Sequence, residues 1–316
     1  MANRYLVTGG AGFIGSHIVR RLVGEAELVR VVDNLLSTGQ LARLDDVYDS
    51  IELVKGDLAD NEVSDEVVRG VDYVLHQAAV PSVQRSISDP IGTNRSNVTA
   101  TLNILESSRK AGVRRFVYAA SSSAYGDTKI LPKNEETRPN PLSPYALQKL
   151  VGERYCKLYY DLYGLETVSL RYFNVFGPDQ DPDSEYSAVI PKFIKKLLAR
   201  DVLTVYGDGE QSRDFTYVDN VVEANLLTLK AIHAPGHVCN IGCGERISLN
   251  HLIRLLEEIT GVKAEVSYTA PKAGDVRHSL ADITLARRLL GYEPKAMVKE
   301  GLRRTVQAFV KCEKQA

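Results

Sequence analysis

Cysteine is scarce in this chain, and neither charge sign prevails. Four cysteines among 316 residues (Cys156, Cys239, Cys243 and Cys312) are too few for a disulfide framework. The close pair, Cys239 and Cys243, lacks the second pair a metal site needs, so no metal is expected. The net charge is −1 with no basic or acidic block, which argues against nucleic acid or a charged membrane surface as partner. No apolar run approaches the roughly 20 residues of a bilayer span. The first ten residues carry no signal-peptide pattern and enter a strand, so a cytoplasmic setting is expected. No internal repeat or low-complexity tract is visible. What is present is ordinary globular composition, 44% hydrophobic and 25% charged, enough for one large domain or two modest ones.

The first half alternates strand and helix. Residues 4–8 read as a strand, followed at once by Gly9-Gly10-Ala11-Gly12-Phe13-Ile14-Gly15 and a helix to about Val23, striped by Ile14, Ile18, Val19 and Leu22. Glycines at 9, 12 and 15 suit a tight turn, close approach to a pyrophosphate and close helix–strand packing. A plain βα turn would use glycine too, but here the turn follows the first strand of an α/β alternation. A second strand, residues 28–33, ends in Asp33, about 20 residues past the glycines, where an acid accepts from ribose hydroxyls and repels a 2′-phosphate. That favours NAD over NADP. Asn34 and Ser37-Thr38-Gly39 follow as a polar loop. A third strand over 51–55 leads to Asp57 and Leu58, and a fourth, ending at His76, runs into Gln77-Ala78-Ala79. Asp89-Pro90 should open one long helix to Ala111, and the strand after it ends in Ser121-Ser122-Ser123.

Ser143-Pro144 reads as a helix N-cap and first turn. The helix should run to about Gly164, with Tyr145 and Lys149 at i and i+4 on one face. An ammonium beside a phenol favours the phenolate, so Tyr145 is expected to exchange a proton nearer neutral pH than a free phenol. A strand over 167–173 and Asn174 follow. Beyond Asn174 the alternation weakens, with helices expected near 188–199, 217–232, 248–260, 282–290 and 298–312. The expected class is α/β: a Rossmann-type doubly wound parallel sheet over residues 1–174, with a stretch of about 214–245 returning to it, and a smaller α/β substrate-binding lobe over 175–316.

With these motifs together, the chain resembles the extended short-chain dehydrogenase/reductase superfamily, and within it the nucleotide-sugar 4-epimerases of the UDP-galactose epimerase type. The carriers are the glycine turn, Val32-Asp33-Asn34, Ser121 with Tyr145 and Lys149, the run 171–178 (RYFNVFGP), the run 213–219 (RDFTYVD) and Gly274-Asp275-Val276-Arg277. The resemblance implies that Tyr145 is the acid/base at the sugar 4-hydroxyl, with Ser121 bonded to the same oxygen. Lys149 would hold the nicotinamide ribose and, with the NAD⁺ charge, depress the tyrosine pKa. Cofactor contacts are implied for Gly9, Gly12, Phe13, Ile14, Gly15, Asp33, Asn34, Ser37, Thr38, Gly39, Asp57, Leu58, Gln77, Ala78, Ala79, Asn97 and Tyr172, with Asn97 also supporting the catalytic group. Substrate contacts are implied for Ser82, Ser122, Ser123, Val189 and Tyr206, for Asn174 and Arg213 on the diphosphate, and for Lys272, Asp275 and Ser279. A homodimer through the helices after Asp89 and Ser143 is also implied.

Related dehydratases and decarboxylases place acids just behind the active hydroxyl. Here Ser122 and Ser123 stand there, so the implied chemistry is oxidation of sugar C4, rotation of the 4-keto sugar and return of hydride to its other face. Ser279 matches a position that is tyrosine in some relatives, and its small side chain leaves room for a 2-acetamido group. The expected activity is a UDP-hexose 4-epimerase accepting UDP-GlcNAc/UDP-GalNAc as well as UDP-Glc/UDP-Gal. Two alternatives stay open: a UDP-glucuronate 4-epimerase, with Arg85 near the sugar, and a non-catalytic NAD-binding regulator.

Overall fold

Short β-branched runs separated by striped helices leave few ways to bury both faces of each strand, and a parallel sheet between helix layers is the one adopted. The computed structural model describes residues 3–36, 41–182, 188–271 and 276–313. In chain order it contains β1 (Arg4–Thr8), α1 (Phe13–Val23), β2 (Leu28–Asp33), β3 (Glu52–Lys55), α2 (Asn61–Val67), β4 (Tyr73–His76), α3 (Val83–Ser88), α4 (Pro90–Asn94), α5 (Ala100–Lys110), β5 (Arg115–Ser121), α6 (Pro144–Tyr163) and β6 (Glu166–Tyr172). Then come β7 (Val175–Phe176), α7 (Val189–Leu198), β8 (Leu203–Tyr206), β9 (Ser212–Arg213), β10 (Thr216–Tyr217), α8 (Val218–Lys230), β11 (Val238–Ile241), β12 (Ile247–Ser248), α9 (Leu249–Thr260), β13 (Val266–Thr269), α10 (Thr284–Leu290) and α11 (Val298–Glu313).

Seven strands form one sheet in the order β3-β2-β1-β4-β5-β6-β11, every pair parallel. The order reverses between β1 and β4, where Thr8 lies level with His76, and that switch point opens a crevice at the strands' carboxyl ends. Alternate residues of β1 serve opposite faces: Tyr5 and Val7 join a core with Ile18, Val19 and Val221, while Leu6 joins one with Ile104, Leu105 and Cys156. A third apolar cluster gathers Phe193, Ile194 and Leu197 of α7, Leu252 and Leu256 of α9, and Leu302 of α11, over the residues where the alternation weakens. After it begins, the chain crosses back to add β11 to the main sheet. No helix among the described residues is long and apolar enough to cross a membrane.

One expectation is corrected. The single helix anticipated over 89–111 is two α-helical pieces, α4 and α5, joined by a π-helical turn at Arg95–Thr99. A π turn inserts an extra residue and re-aims the side chains around it. Here that turn carries Asn97, whose buried amide is bonded to Val80 and Gln148.

Candidate active site

The carboxyl ends of β1, β2, β4, β5 and β6 converge on one cleft of about 800 Å³. At its β1 end Gly9 has φ +63°, and a Cβ there would stand 2.7 Å from the Ala78 backbone. A Cβ on Gly15 would stand 2.2 Å from the Gly9 carbonyl oxygen. Both positions therefore admit glycine alone, and the N-terminus of α1 is brought to the cleft wall by Gly12, Phe13 and Ile14. Asp33 closes this end, its carboxylate accepting from Ala11 N at 3.1 Å and Leu35 N at 2.9 Å, while burial raises its pKa. Asn34, Asp57 and Leu58 line the same end.

The β4 end is held from below by a chain of hydrogen bonds. Thr101 spends its hydroxyl proton on Asn97 O (2.7 Å), so it accepts from His76 Nε2, 3.0 Å away. His76 Nδ1 is then an acceptor for Thr8 Oγ1 at 2.7 Å, and Thr8 accepts from Ala78 N at 3.2 Å. Burial pushes His76 down to about 3, so the imidazole is neutral and this chain is insensitive to ordinary pH. Gln77, Ala78 and Ala79 line the cleft above it. Tyr172, also lining, donates its hydroxyl to Gln77 Oε1 at 3.2 Å and accepts from Asn225 Nδ2 at 2.8 Å.

The proton-transfer candidates sit where β5 ends and α6 begins. Ser143 caps α6 as the pattern requires, accepting from Ala146 N at 3.2 Å, and Ser86 accepts from Tyr145 N at 3.0 Å. Pro144 occupies the first helical position and Gly164, at φ +70°, ends the helix. This fixes Tyr145 and Lys149 against the end of β5. The Tyr145 phenol is hydrogen-bonded to the Ser121 hydroxyl, and Ser123 Oγ donates to Ser121 Oγ at 2.8 Å.

The electrostatics correct a second expectation. Burial pushes the Tyr145 phenol above its ordinary value, and the Ser121 bond offsets only part of that. Lys149 does not hold it down. Its ammonium donates to Ala119 O at 2.8 Å and lies 5.0 Å from the centre of the Tyr118 ring, and burial lowers its own pKa to about 8. Desolvation disfavours both charged forms, so i,i+4 placement alone does not produce a phenolate.

The cleft is also walled by Asn174, Arg213 and Ser279. Asn174 has φ +30°, a conformation asparagine tolerates, and its amide donates to Asp214 O at 3.1 Å. Asp214 accepts from the backbone N–H groups of Cys243, Gly244 and Ala281, pinning the segment that presents Ser279 to the one that presents Arg213. Ser82, Ser122 and Ser123 also line the cleft. Asn97, Val189 and Tyr206 do not: Asn97 lies beneath it, Val189 packs on the third apolar cluster, and Tyr206 is an exposed residue at the end of β8. Ser37, Thr38, Gly39, Lys272 and Asp275 lie outside the described residues.

Sequence reasoning missed several lining residues, among them Arg43, Val80, Lys133 and Gln180. Arg43 reaches Ala11 O at 3.4 Å from a short 3₁₀ turn, and Lys133 comes from an irregular stretch between β5 and α6. Neither sits in a periodic element or a motif, so no local signal marks them.

The sequence profile of the NAD dependent epimerase/dehydratase family matches residues 5–242. The chain belongs to that family. It is an NAD-dependent enzyme of the epimerase kind. Among solved structures it is similar to the UDP-N-acetylglucosamine 4-epimerase of Methanobrevibacter ruminantium in complex with UDP-N-acetylmuramic acid, at 37% identity and TM-score 0.93 over 98% of this chain and 99% of that one. The UDP-glucose 4-epimerase of Thermotoga maritima with UDP-glucose matches at 39% identity and TM-score 0.93, over 98% and 99%. The UDP-glucuronic acid 4-epimerase of Bacillus cereus, with UDP-glucuronic acid and NAD, matches at 31% identity and TM-score 0.91, over 98% and 99%. The cleft of this family member fits the dinucleotide: a tight turn at Gly9 and Gly15 with no room for a Cβ, a helix N-terminus for the pyrophosphate, and an acid at the β2 end for ribose hydroxyls.

Proposed function

We propose that the protein is a UDP-hexose 4-epimerase that acts on N-acetylated substrates (UDP-GlcNAc/UDP-GalNAc) as well as UDP-Glc/UDP-Gal. The observation that carries the reaction class is the Tyr145 phenol bonded to Ser121, with hydroxyls rather than acids at 122 and 123. The sugar 4-hydroxyl donates its proton to the Tyr145 phenol oxygen in its deprotonated form as C4 is oxidised, and recovers it when C4 is reduced on the other face. Ser121 holds the same oxygen. Lys149, with one N–H committed to Ala119 O, has two left for the nicotinamide ribose. NAD, when bound, supplies the two-electron acceptor for sugar C4 and a positive charge that favours the phenolate. Gly9, Gly12, Asp33 and Asn34 hold its adenosine and pyrophosphate, and Asn174 and Arg213 the substrate diphosphate.

The acetylated substrates are read from Ser279, a small residue in the cleft wall where a tyrosine would occupy the space of an acetamido group. A second reading, UDP-glucuronate 4-epimerisation, is favoured by Arg85 in the cleft lining. We also propose a cytoplasmic homodimer formed through α6, whose Leu147, Leu158 and Leu162 make an exposed stripe. The deciding experiment is incubation of the purified protein, without added NAD, with UDP-Glc, UDP-GlcNAc and UDP-GlcA separately, products resolved by NMR. The 4-epimer of UDP-GlcNAc is the expected product. Conversion of UDP-GlcA alone selects the second reading, and no conversion even with NAD supplied removes both.

A further inference from the structure

Lys133 is buried, about 1% exposed, yet it lines the cleft together with Ser123, Gly126, Arg213 and Ser279. Its backbone is fixed on both sides: its N–H donates to Leu280 O at 2.8 Å, and its carbonyl accepts from Asp282 N at 2.9 Å and Asn240 Nδ2 at 2.9 Å. The segment that carries Ser279 therefore runs alongside it. The ammonium donates to Gly126 O at 3.0 Å, just past the turn that begins at Ser122, and lies 5.9 Å from the centre of the Tyr125 ring. An ammonium has three N–H donors. One carbonyl and one aromatic face are its contacts here, and among the described residues no carboxylate lies within ion-pairing distance of it. Burying a charge with so little compensation is unfavourable unless another group completes its shell. Burial, reinforced by the field of Arg213 and partly opposed by Asp127, lowers its pKa to about 8, so the ammonium still prevails at neutral pH.

On the reading of the cleft as a UDP-sugar site, we infer that Lys133 selects the sugar, its ammonium donating to an acyl oxygen that the hexose carries, the 2-acetamido carbonyl or a C6 carboxylate. Two observations point to the sugar. The Nζ is anchored beside the Ser121–Ser123 turn, where the reacting hydroxyl is handled. It adjoins the Ser279 segment. A sugar bearing only hydroxyls offers weaker acceptors to the same donor, so Lys133 discriminates by what its partner lacks.

The test measures binding by calorimetry to the Tyr145→Phe protein, so that bound sugars are not turned over, with and without Lys133→Met. UDP, UDP-Glc, UDP-GlcNAc and UDP-GlcA are the ligands. A charge-assisted bond of this kind is worth about 1.5–3 kcal/mol, or roughly 10- to 100-fold in Kd. The expected result is that factor lost on UDP-GlcNAc, on UDP-GlcA or on both, relative to the change on UDP and UDP-Glc. Loss confined to UDP-GlcNAc assigns the bond to the acetamido oxygen, and loss confined to UDP-GlcA to the carboxylate. An equal loss on all four ligands would place Lys133 on the diphosphate or in the fold and overturn the inference, as would no loss on any. If Lys133→Met does not fold, Lys133→Gln, which can still donate to Gly126 O, takes its place. Failure of the wild-type protein to convert any UDP-sugar is a separate outcome, which removes the epimerase reading itself.

Discussion

Asn97 holds the peptide of Val80 with both ends of its side-chain amide: Oδ1 accepts from Val80 N at 2.7 Å, and Nδ2 donates to Val80 O at 3.2 Å. A second Nδ2 bond, to Gln148 Oε1 at 2.8 Å, ties the same group to α6, the helix that carries Tyr145 and Lys149. The loop over β4 and the proton-transfer helix are thus referenced to one buried side chain outside the cleft. Asn97→Ala leaves polar groups of Val80 and Gln148 without partners and should destabilise the fold by about 2 kcal/mol. At this chain length that corresponds to a Tm lower by roughly 3 °C. Calorimetric unfolding checks it, and an unchanged Tm would mean that Val80 is held by other contacts.

Tyr145→Phe removes the phenolic oxygen and little else, because the ring remains packed in the same place. Turnover of whichever UDP-sugar the wild type uses should fall by about 10²- to 10⁴-fold, the range typical of a lost general acid/base. A fall of less than tenfold in single-turnover assays would show that another group moves the proton.

Ser279→Tyr should narrow the cleft where an acetamido group is expected. The ratio of kcat/KM on UDP-GlcNAc to that on UDP-Glc should drop by more than about tenfold. Equal loss on the two substrates would defeat the assignment of Ser279 to substrate width.

Lys149 gives the fold a pH dependence of defined sign. Its folded pKa of about 8 lies below the ordinary lysine value of 10.5, so the folded protein releases this proton earlier than the unfolded chain. Stability from this group is therefore full above pH 10.5 and is lost as pH falls through 8. The unfolding free energy of wild type minus that of Lys149→Met should rise by up to about 3 kcal/mol across that window. Urea unfolding at several pH values measures it. A flat difference would mean that the ammonium is hydrated in the folded state.

The exposed leucines of α6 test the dimer. Leu158 and Leu162 are four residues apart, with Leu147 three turns earlier on nearly the same face. Leu158→Arg with Leu162→Arg should convert a sedimenting dimer to monomer. Unaltered sedimentation would locate the contact elsewhere or show that there is none.

The sequence alone determined the strand–helix alternation of the first half and the start of α6, because these depend on local rules. The glycine turn after β1 is dictated by φ +63° at Gly9 and by the absence of room for a Cβ, both written in residue type. The start of α6 follows from Ser143-Pro144, and the i,i+4 placement of Tyr145 and Lys149 from helix geometry. Only the tertiary structure decided what those residues experience. Whether a phenol beside a lysine is pushed up or down depends on desolvation and on where the ammonium points, and here burial raises Tyr145 while Lys149 turns to Ala119. The π turn at Asn97, and the arrival of Lys133 beside Ser279, likewise follow from partners 17 to 149 residues away in sequence. No periodicity records such contacts, since they are set by packing between segments rather than along one.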